Sequence, residues 1–292
     1  MEFNKYQRSA ATTDQFPKSN SEGLHEGLLV PLLGLAGEVG SLLTQHKKQI
    51  RDGAAHKLYR EQVAEELGDI LWYASNIATK HGLELDDIAE KNLQKTGERW
   101  KRDQAGCSVL FPHFFDENFP EGERFPRVFE VIVREVDGQV ICEVDGKPAG
   151  DPLTDNAYAD DGYRFHDVFH FAYVAVLGWS PTIRKLLQWK RRSDPIVDSV
   201  EDGGRARVID EAISALVYAY AKDHSYLETV RVVDYPLLKT IQGLVSHLEV
   251  RACPPSAWEN AILQGFDAWR VIWKNHGGRL RIDLQQRTIV AY

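Results

Sequence analysis

The segment Glu65-Glu66-Leu67-Gly68-Asp69-Ile70-Leu71-Trp72-Tyr73 sets acids among residues that otherwise belong in a core. Glu66 and Asp69 are three apart, so on a helix both carboxylates leave one face on neighbouring turns. Leu67, Ile70, Leu71, Trp72 and Ala74 surround them. Carboxylates in such surroundings are costly to desolvate unless a cation or a basic partner compensates. Glu38 is in the same situation on an earlier segment, Gly27 to Lys48, framed by Leu35, Ala36, Val39 and Leu42. Two facing helices with inward carboxylates give the oxygen-rich, partly hydrated site that Mg²⁺ prefers, with Mn²⁺ as the alternative. Glu38, Glu66 and Asp69 are therefore the candidate metal ligands. Glu61 and Glu65 also read as solvated acids beside surface lysines.

The apolar positions of residues 1 to about 105 recur at helical spacing. Helices are expected over Phe3–Ala11, Gly27–Lys48, Leu58–His81 and from Asp86 to about Arg102. Pro31 sits in a first turn, Lys47 and Lys48 suit the negative end of a helix dipole, and Arg51-Asp52-Gly53 and Gly82 read as stops. On the last of these helices Asn92, Lys95 and Arg99 form a polar stripe. Beside a metal–carboxylate cluster such a stripe would neutralise a polyphosphate; alone it is a solvated face. Lys47 and Lys48, with Arg51, form a second basic group of the same ambiguity. Trp72 and Trp100 either stack a base or belong to the core.

From Cys107 to Asp161 the helical period disappears. Arg127–Arg134 and Gln139–Val144 alternate as strands around the turn signal Asp137-Gly138. Asp151–Asp161 reads as a loop. Helices resume at about 163–178, 181–190, 206–222, 235–248 and 255–276, followed by a terminal hairpin, 279–283 with 287–292, expected to join the first hairpin in one sheet. The fold class is mainly α: an amino-terminal helical bundle (1–106), a small antiparallel β element with linker (107–161) and a second helical domain with its hairpin (162–292).

Apolar residues at 43% and charged residues at 27% exclude global disorder. The net charge of −8 disfavours a nucleic-acid partner. No uninterrupted apolar run reaches the roughly 18 residues of a membrane span, and Met1-Glu2-Phe3-Asn4-Lys5 has no signal-peptide core. Cys107, Cys142 and Cys253 are scattered, as in a reducing compartment. The expectation is a cytoplasmic protein without a membrane partner.

GLAGEVGSLL, then EELGDILWYASNIA, then NLQKTGERW resemble the MazG-like family of all-α nucleoside triphosphate pyrophosphohydrolases, over about residues 1–105. The family carries an E-x-x-E motif, an E-x-x-D motif one helix later and a downstream N-x-x-K stripe. Glu38 takes the first position of the first motif; Glu66 and Asp69 take both positions of the second. Ser41 stands where the second glutamate is expected, which leaves one metal lost, bound through water, or completed by Glu65 or another chain. The resemblance implies Mg²⁺-dependent hydrolysis of a nucleoside or deoxynucleoside triphosphate to monophosphate and pyrophosphate. Glu65 or Glu66 would be the base, Lys95 a catalytic cation, and Lys47, Lys48, Trp72, Asn92, Lys95 and Arg99 would bind substrate. It also implies a homo-oligomer, a dimer or larger.

Tyr163–His170 puts His166 and His170 at i and i+4 with Asp167 beside them, and Asp210 or Glu211 on a later helix could complete a metal set. A hydrogen-bonded core pair is the other reading of two such histidines. Aligning EELGDILWYASNIA with DEAISALVYAYA places Glu211 on Glu66 and Ser214 on Asp69, with Asp167 and His170 on Glu38 and Ser41, as in a diverged copy of the first bundle. The segment also resembles the carboxy-terminal region that accompanies some MazG-like proteins. Two rivals to the hydrolase remain: a nucleotide-binding sensor of weak turnover, and a metal hydrolase centred on His166, Asp167, His170 and Glu211.

Overall fold

The computed structural model describes residues 1–15, 26–100 and 114–292, leaving aside the side chains of residues 26 and 98–100. Contacts gather in two units, Met1–Gly97 and Glu98–Tyr292. The first contains α1 (Phe3–Ala11), α2 (Glu26–Asp52), α3 (Tyr59–Lys80) and α4 (Leu85–Trp100). Gly82, at φ +66°, turns the chain out of α3 in a conformation that favours glycine. Helix α1 closes the next turn. The buried Gln7 side chain donates to Thr79 Oγ1 and the Leu83 carbonyl and accepts from Leu85 N–H, while Asn4 accepts from Asp86 N–H. The first N–H groups of α4, which no helical carbonyl can satisfy, thus find partners on α1.

The most extensively packed pair in this unit is α2 with α3, yet its core is thin. Among the described residues its buried apolar side chains are Ala10, Pro31, Ala78 and Leu85. Leu29, Leu32, Leu33, Val39 and Leu43 of α2 are exposed. Averaged over a window, the α2 segment reaches a mean hydropathy of 1.6, long and apolar enough by composition to cross a membrane. An uninterrupted-run criterion misses this, because Glu38 breaks the run without lowering the average much.

The second unit contains β1 (Val128–Val136), β2 (Gln139–Val144), β3 (Lys147–Pro148), α5 (Asp167–Leu177), α6 (Pro181–Leu186), α7 (Pro195–Val200), α8 (Gly204–Lys222), α9 (Tyr235–Leu244), α10 (Pro255–Lys274), β4 (Gly277–Asp283) and β5 (Thr288–Ala291). The two hairpins form one antiparallel sheet of order β3-β2-β1-β4-β5, with Val131 opposite Leu280. Asp137 and Gly138, both at positive φ, form the two-residue turn between β1 and β2. The terminal strands therefore join the sequence-defined middle region to the carboxy-terminal helices. The first unit has no strand among its described residues. Strand β3 and helix α7 lack the length that makes periodicity readable.

Helix α5 is buried over its whole length, as expected of a helix apolar all round. It packs most extensively against α10, where Phe169 meets Phe266 at a ring separation of 4.5 Å. Around this core lie buried ion pairs. Asp116, 1% exposed, accepts from Arg127 at 2.8 Å, from Arg184 at 2.9 Å and from Phe125 N–H. Arg191 is held by Asp202 and Glu249 at 2.7 and 2.6 Å.

Burial alone would push the Asp116 carboxyl up, but Arg184, the Phe125 N–H and Arg127 outweigh it and hold it below the ordinary value. A lowered folded-state value stabilises the fold above the unfolded carboxylate range, and that stability is lost as pH falls through the lowered value. Asp116→Asn is therefore expected to destabilise the second unit by about 3–5 kcal/mol at neutral pH. In urea denaturation followed by tryptophan fluorescence, the gap to wild type should narrow below about pH 4.

Candidate active site

Glu38 on α2 and Glu66 and Asp69 on α3 meet: one carboxylate oxygen from each lies within 4.8 Å of the others. The local reason is the helix pitch, which brings Glu66 and Asp69 to one face, and the α2–α3 packing, which brings Glu38 to that face. Close packing here depends on Gly34, one turn before Glu38. A Cβ at Gly34 would stand 2.2 Å from the Tyr73 ring. Glu38 and Glu66 are half-buried and Asp69 is exposed. Glu38 is held above its ordinary value, first by burial and then by the charges of Asp69 and Glu66.

The trio is extended by a residue that the sequence reading passed over. Gln45, buried on α2, donates from Nε2 to Glu66 Oε1 at 3.3 Å, and Lys48 Nζ reaches Gln45 Oε1 at 3.5 Å. The available signal was spacing, since Gln45 lies seven residues after Glu38 on the same helix face. Ser41, one turn after Glu38, is half-buried. Glu65, four residues before Asp69 on α3, is exposed, and Lys47 is exposed near the end of α2. Trp72 is half-buried, with its indole N–H donated to Thr13 Oγ1 at 2.8 Å and its ring edge-on to Tyr73. Asn92 and Lys95 are exposed on α4 and are not members of the acid trio. The Arg99 and Trp100 side chains and the Cys107 position lie outside the described residues.

The donor set is all oxygen: three carboxylates, with a carboxamide orienting one of them. Hard divalent cations take such ligands, and three like charges this close favour a cation between them. The residues thus fit Mg²⁺, and Mn²⁺ accepts the same set.

In the second unit, His166, His170 and Glu211 also meet, again with one ligand atom of each within 4.8 Å of the others. His170 Nδ1 donates to the buried Asp210 Oδ1 at 2.8 Å. Asp210 Oδ2 accepts from Ser180 Oγ at 2.6 Å and from Thr182 N–H. Burial works against a charged His170, but Asp210 and Glu211 outweigh it and hold the ring well above its ordinary value. Asp167 is buried, and burial pushes its carboxyl up; its Oδ1 stands 3.8 Å from His166 Nε2. The partner role falls to Asp210, which holds the ring, and to Glu211, which faces it.

Residues 28–102 match the family model of the MazG nucleotide pyrophosphohydrolase domain, and residues 111–292 match that of the MazG C-terminal domain. The gene 37 protein of Mycobacterium phage L5 is 32% identical over 104 residues, which make up 35% of this chain and 91% of the phage protein. No solved structure matches the chain.

Gly34→Ala is expected to force Tyr73 out of the α2–α3 interface. Overpacking of this kind destabilises by about 1–3 kcal/mol. Thermal melting followed by circular dichroism should register the loss, and Mg²⁺ titration of the same variant should show weaker binding as Glu38 moves away from Glu66.

Proposed function

Since the chain belongs to the MazG family and its first unit is that family's nucleotide pyrophosphohydrolase domain, we propose that it hydrolyses nucleoside or deoxynucleoside triphosphates to monophosphate and pyrophosphate with Mg²⁺. The observation that carries this reading is the meeting of Glu38, Glu66 and Asp69 across α2 and α3, in a family that is generally divalent-metal dependent. Bound there, a divalent cation would neutralise triphosphate charge and make a water more acidic. Glu38, Glu66 and Asp69 would hold it, with Gln45 fixing the direction of the Glu66 carboxylate. Glu65, exposed one residue away, takes the proton of the water that attacks the α-phosphorus. The bond from that phosphorus to the bridging oxygen breaks, and pyrophosphate leaves. Lys47, Lys48, Asn92 and Lys95 serve as the cationic and amide contacts of the phosphates, which gather charge as that bond breaks.

A second reading is favoured by Ser41: with a neutral side chain at that position, the chain would bind nucleotide with little turnover. Pyrophosphate release from a panel of ribo- and deoxynucleoside triphosphates separates the two. Wild type is expected to release pyrophosphate, Glu65→Gln to lose about 100-fold or more of the rate, and Glu66→Gln and Asp69→Asn at least as much. Nucleotide binding without release in wild type would leave the sensor reading standing.

The exposed apolar side of α2 belongs, in this proposal, against a second copy of the chain. A bundle with so few buried apolar side chains gains little from burial by itself. Lipid is a poor cover, because Glu38 lies in the middle of that helix with Glu66 and Asp69 beside it, and intramembrane carboxylates are expensive. Light scattering coupled to gel filtration should report a dimer or larger, and Leu33→Glu with Leu43→Glu should reduce it to the monomer mass. A wild-type monomer would overturn the assembly.

A further inference from the structure

We propose that the second unit holds a divalent transition-metal ion, zinc by the chemistry of its donors, through His166 Nε2, His170 Nε2 and Glu211 Oε2, with one coordination position open to solvent. Each ring is fixed by its other nitrogen. His166 Nδ1 lies 2.9 Å from the Tyr163 carbonyl and His170 Nδ1 lies 2.8 Å from Asp210 Oδ1, acceptors that require the proton on Nδ1. Both Nε2 atoms are left to face a third group, and outer hydrogen bonds of this kind are what orient metal-ligating histidines. Tyr163 stacks on the His166 ring at a centroid separation of 4.6 Å and an interplanar angle of 8°, which further restricts its rotation.

The third group is Glu211. Its Oε2 lies 3.2 Å from His170 Nε2 and 3.7 Å from His166 Nε2. An ion pair accounts for His170 between Asp210 and Glu211, whereas His166 Nε2 has Glu211 Oε2 at 3.7 Å and Asp167 Oδ1 at 3.8 Å, both too long for a hydrogen bond. Ligand atoms about 2 Å from a shared zinc ion stand on the order of 3–4 Å apart, which covers both spacings. Two imidazoles and one carboxylate suit zinc-type ions, whereas the all-oxygen trio of the first unit suits Mg²⁺.

The open side follows from exposure. The Glu211 side chain is 47% exposed and lines a pocket of about 390 Å³ together with Thr182, Lys185 and Arg207. Thr182 Oγ1, buried and without a hydrogen-bond partner, lies at the edge of the same pocket. Two cationic side chains beside a partly coordinated metal select an anionic ligand, so the open position takes a phosphate-like oxygen.

The test uses the full chain stripped of metal with a chelator. It is run in a Glu38→Gln, Asp69→Asn background so that the carboxylate trio does not compete. Zn²⁺ titration against a chromophoric chelator is expected to show one equivalent bound. His166→Gln and Glu211→Gln should weaken binding by more than about 100-fold, and Asp210→Asn, which reaches the metal through the His170 ring while also holding Ser180 and Thr182, by about 10- to 100-fold. Near-ultraviolet circular dichroism reports whether each variant keeps its packing, and the Glu211 side chain, 47% exposed, leaves room for its glutamine. Substoichiometric Zn²⁺, or equal affinity in folded His166→Gln and Glu211→Gln, overturns the site. With Co²⁺ as a coloured replacement, inorganic phosphate should shift the visible spectrum in the parent, and the shift should be lost in Lys185→Ala with Arg207→Ala. A spectrum indifferent to phosphate overturns the open position.

Discussion

A charge removed from water must meet an opposite charge or a full set of hydrogen bonds, and most of the polar architecture of this chain answers to that requirement. In the second unit the answer is internal. Asp116 gathers Arg127 and Arg184, Arg191 gathers Asp202 and Glu249, and Arg164 gathers Asp155, Asp160 and Glu135. Each cluster ties segments far apart in sequence, so helix α6 and the loops around the sheet are held in fixed positions. Asp210 belongs to the same system. It fastens the amino-terminal turn of α6 through Ser180 and Thr182 and turns the His170 ring, so one buried carboxylate supports both the fold and the histidine cluster.

In the first unit the same requirement meets a different arrangement. Glu38, Glu66 and Asp69 are of one sign and face each other, and Glu38 is held above its ordinary value by burial and by its neighbours' charge. A helix pair built this way carries unfavourable electrostatics of its own, in a unit whose apolar core is small. Function and stability are opposed there: the positions that would hold a cation occupy the α2–α3 face that could otherwise have been apolar. The two units thus differ in kind, one with buried carboxylates met by arginines and one with three carboxylates gathered where its two longest helices meet.

The first bundle was legible because its signals are local. Helical spacing, the stop at Gly82 and the i, i+3 pair Glu66 and Asp69 all act within a few residues. The Asp137-Gly138 hairpin was legible for the same reason. Gln45 was missed because a neutral amide on a helix face carries no distinguishing chemistry until Glu66 is seen beside it. Asp167 drew attention by adjacency to His166 and does stand 3.8 Å from its Nε2, but no hydrogen bond ties it to either ring. Asp210, contributed from another helix, was the residue that reached the His170 ring.

The amino-acid sequence by itself determined the helical class, the family and the acid trio, because each depends on residue type at short fixed spacing. Tertiary structure decided which distant segments complete each site. It joined the two hairpins into one sheet and left the apolar side of α2 exposed. It also gave Asp210 and Glu211 separate duties toward one histidine. Those outcomes depend on the approach of helices and strands many residues apart, where packing and the pairing of buried charge select one arrangement from the many that the same local pattern allows.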